Sequence, residues 1–232
     1  MKRILIFLTV LVSGSVWAQA TDSLPAYERT IKVSDPFYRE DQFYIGITHS
    51  MLMQKPQGLT QRSISLGTSF GFLRDIPVNK QRTVAIAPGA GLAFYNLRHN
   101  LVLLTDEGMP SFVIENDVNK NVQKLTYLEI PVEFRWRTSK MHSHKFWRVY
   151  TGIKYSYLLN SKIKYEGIYG KTETKKNALL TQSNLGVYVT AGFNTWNFYA
   201  YYGFKPLYKK GTVDAEKNYF NMVNVGLMFY IL

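Results

Sequence analysis

The residues able to do chemistry in this chain are few and scattered. There are four histidines, at 49, 99, 142 and 144, and no cysteine. His49 stands beside Ser50, and His99 lies upstream of Asp106, types that a base–nucleophile pair would need. Neither pair sits in a recognisable catalytic motif. His142-Ser143-His144 is an H-x-H pair, but a metal site needs three or four ligands and no third stands nearby. The G-x-S-x-G elbow, the P-loop and H-E-x-x-H are absent, and Gly89-Ala90-Gly91 reads as strand glycine rather than a phosphate loop. The pattern points away from an enzyme, a cofactor and a metal.

Charge is better organised than catalysis. In YLEIPVEFRWR, residues 127–137, Leu128, Ile130, Val132, Phe134 and Trp136 alternate with Glu129, Pro131, Glu133 and Arg135. A strand buried on both faces in an apolar core could not carry those charges. A strand with lipid on one side and an enclosed polar lumen on the other could.

Seven further runs show the same period of two. They are Gln42–Met51, Arg62–Leu73, Thr83–Asn96, Lys145–Leu159, Ser183–Asn194, Asn197–Leu207 and Tyr219–Leu232; the quoted strand begins near Lys124. One face is large and apolar, as in Ile64, Leu66, Phe70 and Phe72. The other is small, polar or charged, as in Ser65, Gly67, Ser69 and Gly71. Most runs reach the roughly 9–11 residues a tilted strand needs to cross a bilayer. Aromatics make up 15%, with 17 Tyr and 14 Phe. The expected fold is an all-β, eight-stranded antiparallel transmembrane β-barrel of outer-membrane type. A soluble lipocalin-like barrel would invert the faces, and the Gly, Ser and Ala on the face it would turn to water argue against it.

Residues 1–20 read as a signal peptide: Lys2 and Arg3, an apolar run from Ile4 to Val12, then Ala18-Gln19-Ala20. Residues 21–41 form an expected periplasmic segment, and 42–232 the barrel. Removing Lys2 and Arg3 lowers the formal charge from +12 to +10. A basic exported chain has lipid and lipopolysaccharide phosphates as acidic neighbours, and the export signal argues against nucleic acid.

Connections near 74–82, 138–144 and 195–196 are short, while those near 52–61, 97–123, 160–182 and 208–218 are mostly longer. Short turns on the periplasmic side and long loops outside are the barrel habit, so both termini are expected in the periplasm. Phe229, three residues from Leu232, suits a terminal barrel strand. Lumen charges must pair. Antiparallel pairing puts Glu133 near Arg148 and Glu129 near Lys154, within one register step, with Arg135 and Lys205 extending the network. Pro131 forfeits a donor and invites a bulge.

The loop SKIKYEGIYGKTETKKN interleaves Tyr165 and Tyr169 with lysines, a composition that suits lipopolysaccharide phosphates. Leu101–Leu104 and Phe112–Ile114 are too apolar for a free loop and are expected to extend strands or dock on a partner. The turn after residue 73 is dense in Arg74, Asp75, Pro77, Asn79, Lys80 and Arg82.

Together with REDQFYIGI at 39–47 and YLEIPVEFRWR, the Arg-Asp-x-Pro-x-Asn-Lys turn resembles the PorT family of Bacteroidetes outer-membrane barrels. The LEIP element is shared with a broader group of small barrels. The resemblance implies a part in type IX protein secretion, in some relatives linked to gliding, without known chemical activity, through contacts with other secretion or envelope proteins. The same turn is where we expect such contacts. The alternative is a small channel or general envelope barrel.

Overall fold

A computed structural model describes residues 41–61, 63–106, 109–138, 147–176, 178–193, 195–209 and 220–231. The strands are β1 (Gln42–Met53), β2 (Leu66–Leu73), β3 (Ile76–Pro77), β4 (Val84–Arg98), β5 (Leu101–Asp106), β6 (Met109–Ile114), β7 (Val118–Arg137), β8 (Trp147–Gly167), β9 (Gly170–Lys175), β10 (Ser183–Phe193), β11 (Trp196–Pro206) and β12 (Asn221–Ile231). Eight of them, β1, β2, β4, β7, β8, β10, β11 and β12, form a closed antiparallel ring. β1 and β12 close it, from Phe43 opposite Ile231 to Met53 opposite Asn221. Closure gives each wall strand two neighbours, the condition for placing a sheet in hydrocarbon. No helix among the described residues is long and apolar enough to cross a membrane.

Alternation decides what each side chain meets. Outward lie Phe43, Ile45 and Ile47 on β1, Ile130, Val132, Phe134 and Trp136 on β7, and Phe198 on β11, all exposed. Inward lie Tyr44 and Thr48, Glu129 and Glu133, and Tyr199 and Tyr201, all buried. At the end carrying the short connections, which we call the turn end, Trp147 meets Phe193 at 5.3 Å, Trp196 meets Phe229 at 5.5 Å and Phe43 meets Phe72 at 5.2 Å. Exposed Tyr155, Tyr157, Tyr202 and Phe204 lie toward the opposite, loop end. Aromatics at both margins of an apolar band are the girdles of a membrane barrel.

Several boundaries differ from expectation for identifiable reasons. β3 keeps the register of β2 along β4, Leu73 facing Gly89 and Ile76 facing Ile86. The turn expected at 74–82 is therefore a strand continuation followed by a tight turn, which Val78 N–H closes on Val84 O at 2.9 Å. β7 and β8 run 20 and 21 residues, past the wall. Much of the expected lysine loop is thus a β8–β9 hairpin, held by cross-strand pairs such as Lys162–Glu173 at 2.6 Å. At Pro131 the ladder to β8 stays in register, opposite Lys154; the bulges fall at Thr126/Tyr127 and Val118/Lys120. The missing donor shows on the other side, where pairing with β4 lapses between Gly91 and Pro88 and resumes unshifted. The apolar stretch after residue 100 forms a separate β5–β6 hairpin, with Leu101, Val102, Leu103 and Phe112 buried.

Candidate functional site

The lumen is the site this fold builds, and it changes character along its length. At the turn end Asp75 receives two arginines. Arg135 Nη1 donates to Asp75 Oδ1 at 2.8 Å, and Arg137 Nη2 donates to Oδ2 at 2.9 Å. Arg135 Nε also donates to Glu133 Oε2 at 2.8 Å. Both arginines and Asp75 have fully buried side chains. Arg137 Nε donates to Arg82 O at 2.9 Å, so one guanidinium holds the β3–β4 hairpin through both of its limbs. Such fork-shaped, charge-assisted contacts suit Arg better than Lys.

The middle of the lumen is a tyrosine cage around one cation. Lys154 Nζ lies 2.8 Å from Glu129 Oε1 and donates to Tyr199 OH at 3.0 Å. It also sits 4.3 Å from the centroid of the Tyr201 ring. Tyr95 OH donates to the same Glu129 oxygen at 3.1 Å, and Tyr188 and Tyr230 hydroxyls donate to Glu133 Oε1 at 3.0 and 3.2 Å. Each carboxylate is thereby hydrogen-bonded as well as ion-paired, which offsets its desolvation. The space left between Tyr44, Glu129, Glu133, Lys154 and Tyr199 is a cavity of ≈ 10 Å³. That is room for about one water.

Glycine makes room for these rings. A Cβ at Gly71 would stand 2.7 Å from Tyr44 Cε1, and one at Gly91 would meet the Tyr44 hydroxyl. A Cβ at Gly186 would stand 2.5 Å from Tyr201 Cε2, and one at Gly152 would stand 2.9 Å from Tyr188 Cζ. The small face read along the strands is where tyrosines of neighbouring strands lie flat.

Toward the loop end the filling turns apolar. Leu52, Leu97, Leu101, Phe112, Leu125, Tyr208 and Phe220 are buried in one cluster. One polar knot persists there. Leu101 N–H donates to His99 Nδ1 at 3.3 Å, so Nε2 carries the proton and donates to Gln123 Oε1 at 3.0 Å. Tyr208 OH donates to that same oxygen at 2.6 Å. Burial pushes the His99 pKa below its ordinary 6.5.

The structure brings together Glu129 and Lys154, and Glu133 and Arg135, from the expected lumen set. Arg148 is buried, opposite Arg137 in register, with its guanidinium 5.9 Å from the Tyr230 centroid. Glu133 instead faces Gly152. Lys205 stands outside the network: it and Phe204 are both exposed, because β11 shifts register between Tyr202 and Pro206 and loses its alternation.

The expected contact turn is also redrawn. Asp75 points inward, since it shares the parity of Leu73 on a strand that does not end there. Asn79 closes the turn, its Oδ1 accepting from Val84 N–H at 3.1 Å and its amide donating to Thr83 Oγ1 at 2.6 Å. Arg82 adopts φ 58° and lends its carbonyl to Arg137. Pro77 is half-buried, whereas Arg74 and Lys80 are exposed.

Of the candidate catalytic groups, His99 is enclosed as described. His49 faces outward on β1 between Leu66 and Val225, and Ser50 is buried on the opposite face. His142 and His144 lie outside the described residues, as do the expected signal peptide and nearly all of the N-terminal segment. Among the described residues no cluster of three or more His, Cys, Asp or Glu could hold a metal. Sequence reasoning missed Arg137, the inward role of Asp75, and the tyrosines as lumen filling. Parity carried a signal for each.

A family model described as "Outer membrane protein beta-barrel domain" matches residues 17–209. Neither the curated proteins nor the solved structures give a match. The matched stretch covers most of the chain and stops short of β12, whose pairing with β1 completes the ring. Such a family fits a structural or transport role. The chain belongs to this family of outer-membrane β-barrels.

Proposed function

We propose that this protein is a non-enzymatic barrel that supports type IX protein secretion, and gliding where that system drives it, by contacting other envelope proteins. The observation that carries this reading is the filled lumen. The cavity between Tyr44, Glu129, Glu133, Lys154 and Tyr199 in the middle of the cylinder is ≈ 10 Å³, and an ionic knot and an apolar cap lie on either side of it. A barrel without a bore works through its surfaces. The PorT resemblance of the 70–94 and 127–137 segments supplies the system. In this reading the signal peptide is cleaved after Ala20, the turn end and both termini are periplasmic, and the exposed Arg74 and Lys80 at the 74–83 hairpin meet a partner.

A deletion strain assayed for cargo secretion tests it directly. Secretion should fail on deletion and return with the wild-type chain. With Arg74→Glu and Lys80→Glu together it should stay impaired while barrel insertion is normal. Unimpaired secretion in the deletion strain sinks the proposal. Planar-bilayer recording of the purified protein tests the channel alternative; discrete conductance steps would favour it.

A further inference from the structure

Among the described residues the wall is interrupted between β8 and its neighbours β9 and β10. β8 pairs with β10 as far as Tyr157, opposite Ser183, and does not meet β9 until Lys162, opposite Lys175. Across residues 158–161 the gap is met by Lys176 on one side and Gln182 on the other. Lys176 N–H donates to Ser161 O at 2.9 Å, and Leu158 N–H donates to Gln182 O at 2.8 Å. Beside these bonds lies an open crevice of ≈ 450 Å³.

The lining of this crevice is two-sided in chemistry. Tyr157 and Leu159 belong to the exposed outer face of β8, continuous with the lipid-facing wall. Asn160, Gln182, Lys176 and Lys209 supply amides and ammonium groups, and none of the ten described lining residues is acidic. Gln182 Nε2 donates to Tyr157 OH at 2.7 Å, so the polar and aromatic lips are tied together. The contrast with the neighbouring hairpin is what identifies a ligand. There Lys162, Lys164 and Lys175 share Glu173, and Lys171 pairs with Glu166 at 2.8 Å. Lys176 makes no ion pair among the described residues, and it is one of the two lysines that reach the crevice.

We infer that this crevice holds the phosphorylated headgroup of a membrane lipid, with an acyl chain running down the β8 wall over Leu159. The chemistry needed is an anion at the level where an apolar band gives way to lysine, and a phosphate on a lipid is the anion found at that level. Placing that lipid in the outer leaflet rests on the proposed orientation, with the loop end outside.

The test uses the full-length protein purified in detergent, presented with a diphosphorylated acylated glucosamine disaccharide or its dephosphorylated counterpart. Bound lipid is read by native mass spectrometry. The wild type should retain the phosphorylated lipid with a preference of about tenfold or more. Lys176→Glu with Lys209→Glu should abolish that preference. Lys171→Glu, at the hairpin tip, should leave it intact. Should the double Glu variant fail to fold, Lys176→Gln with Lys209→Gln reads the same contact without charge reversal. Equal retention of both lipids by the wild type, or an undiminished preference in the folded double variant, overturns the site. Orientation is read separately, by whole-cell labelling of Tyr169→Cys in this cysteine-free chain. Protection from external label with lipid preference retained would sink the orientation and leave the site standing.

Discussion

At the turn end Asp75, Glu133, Arg135 and Arg137 fill the cylinder with bonds of 2.8–2.9 Å. At the loop end Leu52, Leu97, Phe112, Leu125 and Phe220 fill it with area, and the polar knot of His99, Gln123 and Tyr208 is set among them. One wall thus meets two filling regimes. Directional bonding depends on each partner, because removing one leaves a buried charge. Area-based filling degrades in proportion to the volume removed. The hairpin after β2 shows why the ionic end is built as it is. A two-limbed hairpin has little apolar surface of its own to bury, so it is fixed by Arg137 gripping Asp75 on one limb and the Arg82 carbonyl on the other.

The sharpest break between the ends should come from Asp75→Ala. It removes the carboxylate that two fully buried guanidiniums share, leaving Arg135 with Glu133 and Arg137 with the Arg82 carbonyl, and should cost about 3–5 kcal/mol. The readout is the urea midpoint of the refolded barrel, followed by its heat-modifiable gel mobility. Leu97→Ala at the loop end, fully buried but apolar, should cost about 2–5 kcal/mol and leave the ionic end untouched. If Asp75→Ala is neutral, the ionic end is not what fixes the hairpin.

The middle level separates pairing from charge itself. Lys154→Met alone leaves Glu129 buried without its ammonium partner, hydrogen-bonded to Tyr95, and should destabilise by about 3 kcal/mol. Adding Glu129→Gln should recover most of that loss, since a neutral amide can still meet Tyr95. A double variant no more stable than the single would show that the ion pair does more than neutralise itself. Smaller again is Gly71→Ala. Its Cβ would stand 2.7 Å from Tyr44 Cε1 and 2.6 Å from the Gly91 Cα, forcing the ring or the strand to shift for about 1–3 kcal/mol. Tyr44→Leu in the same chain should relieve the ring contact. Failure to relieve it places the strain in the backbone instead.

The wall was legible in the residues because a membrane barrel writes period two into every strand, and all eight alternating runs coincide with ring strands. What was hidden follows from places where local chemistry disguises parity. Arg74, Pro77 and Asn79 look like a turn, which hid the fact that Leu73, Asp75 and Pro77 continue one inward face. Lys205 kept its apparent parity on paper, but a register shift that no residue type announces turned it out. The lysine-rich stretch read as loop because its charges suit water. Paired across a hairpin, Lys162 and Lys164 with Glu173, the same charges stabilise strand. The tyrosines entered the sequence reading chiefly as aromatic content; against glycine on the next strand they are the natural filling of a narrow lumen.

The loop end can be addressed alone by acid. His99 is neutral, accepting from Leu101 N–H at Nδ1 and donating to Gln123 from Nε2. Its pKa is held below 6.5 by burial, so the unfolded chain takes up a proton before the folded one does. Stability from this group is therefore complete above 6.5 and is lost as pH falls from there toward the lowered folded value. The added proton must sit on Nδ1, where it faces the Leu101 N–H and dismisses the bond that starts β5. Amide exchange at Leu101 should accelerate below 6.5, beyond the intrinsic pH dependence. The exchange of Arg137, whose N–H donates to Thr83 O at the far end, should not share that excess. His99→Gln keeps a donor and an acceptor without titrating, and should flatten the Leu101 response. If the excess persists in that variant, some other group opens the cap, and the loop end is not governed by His99.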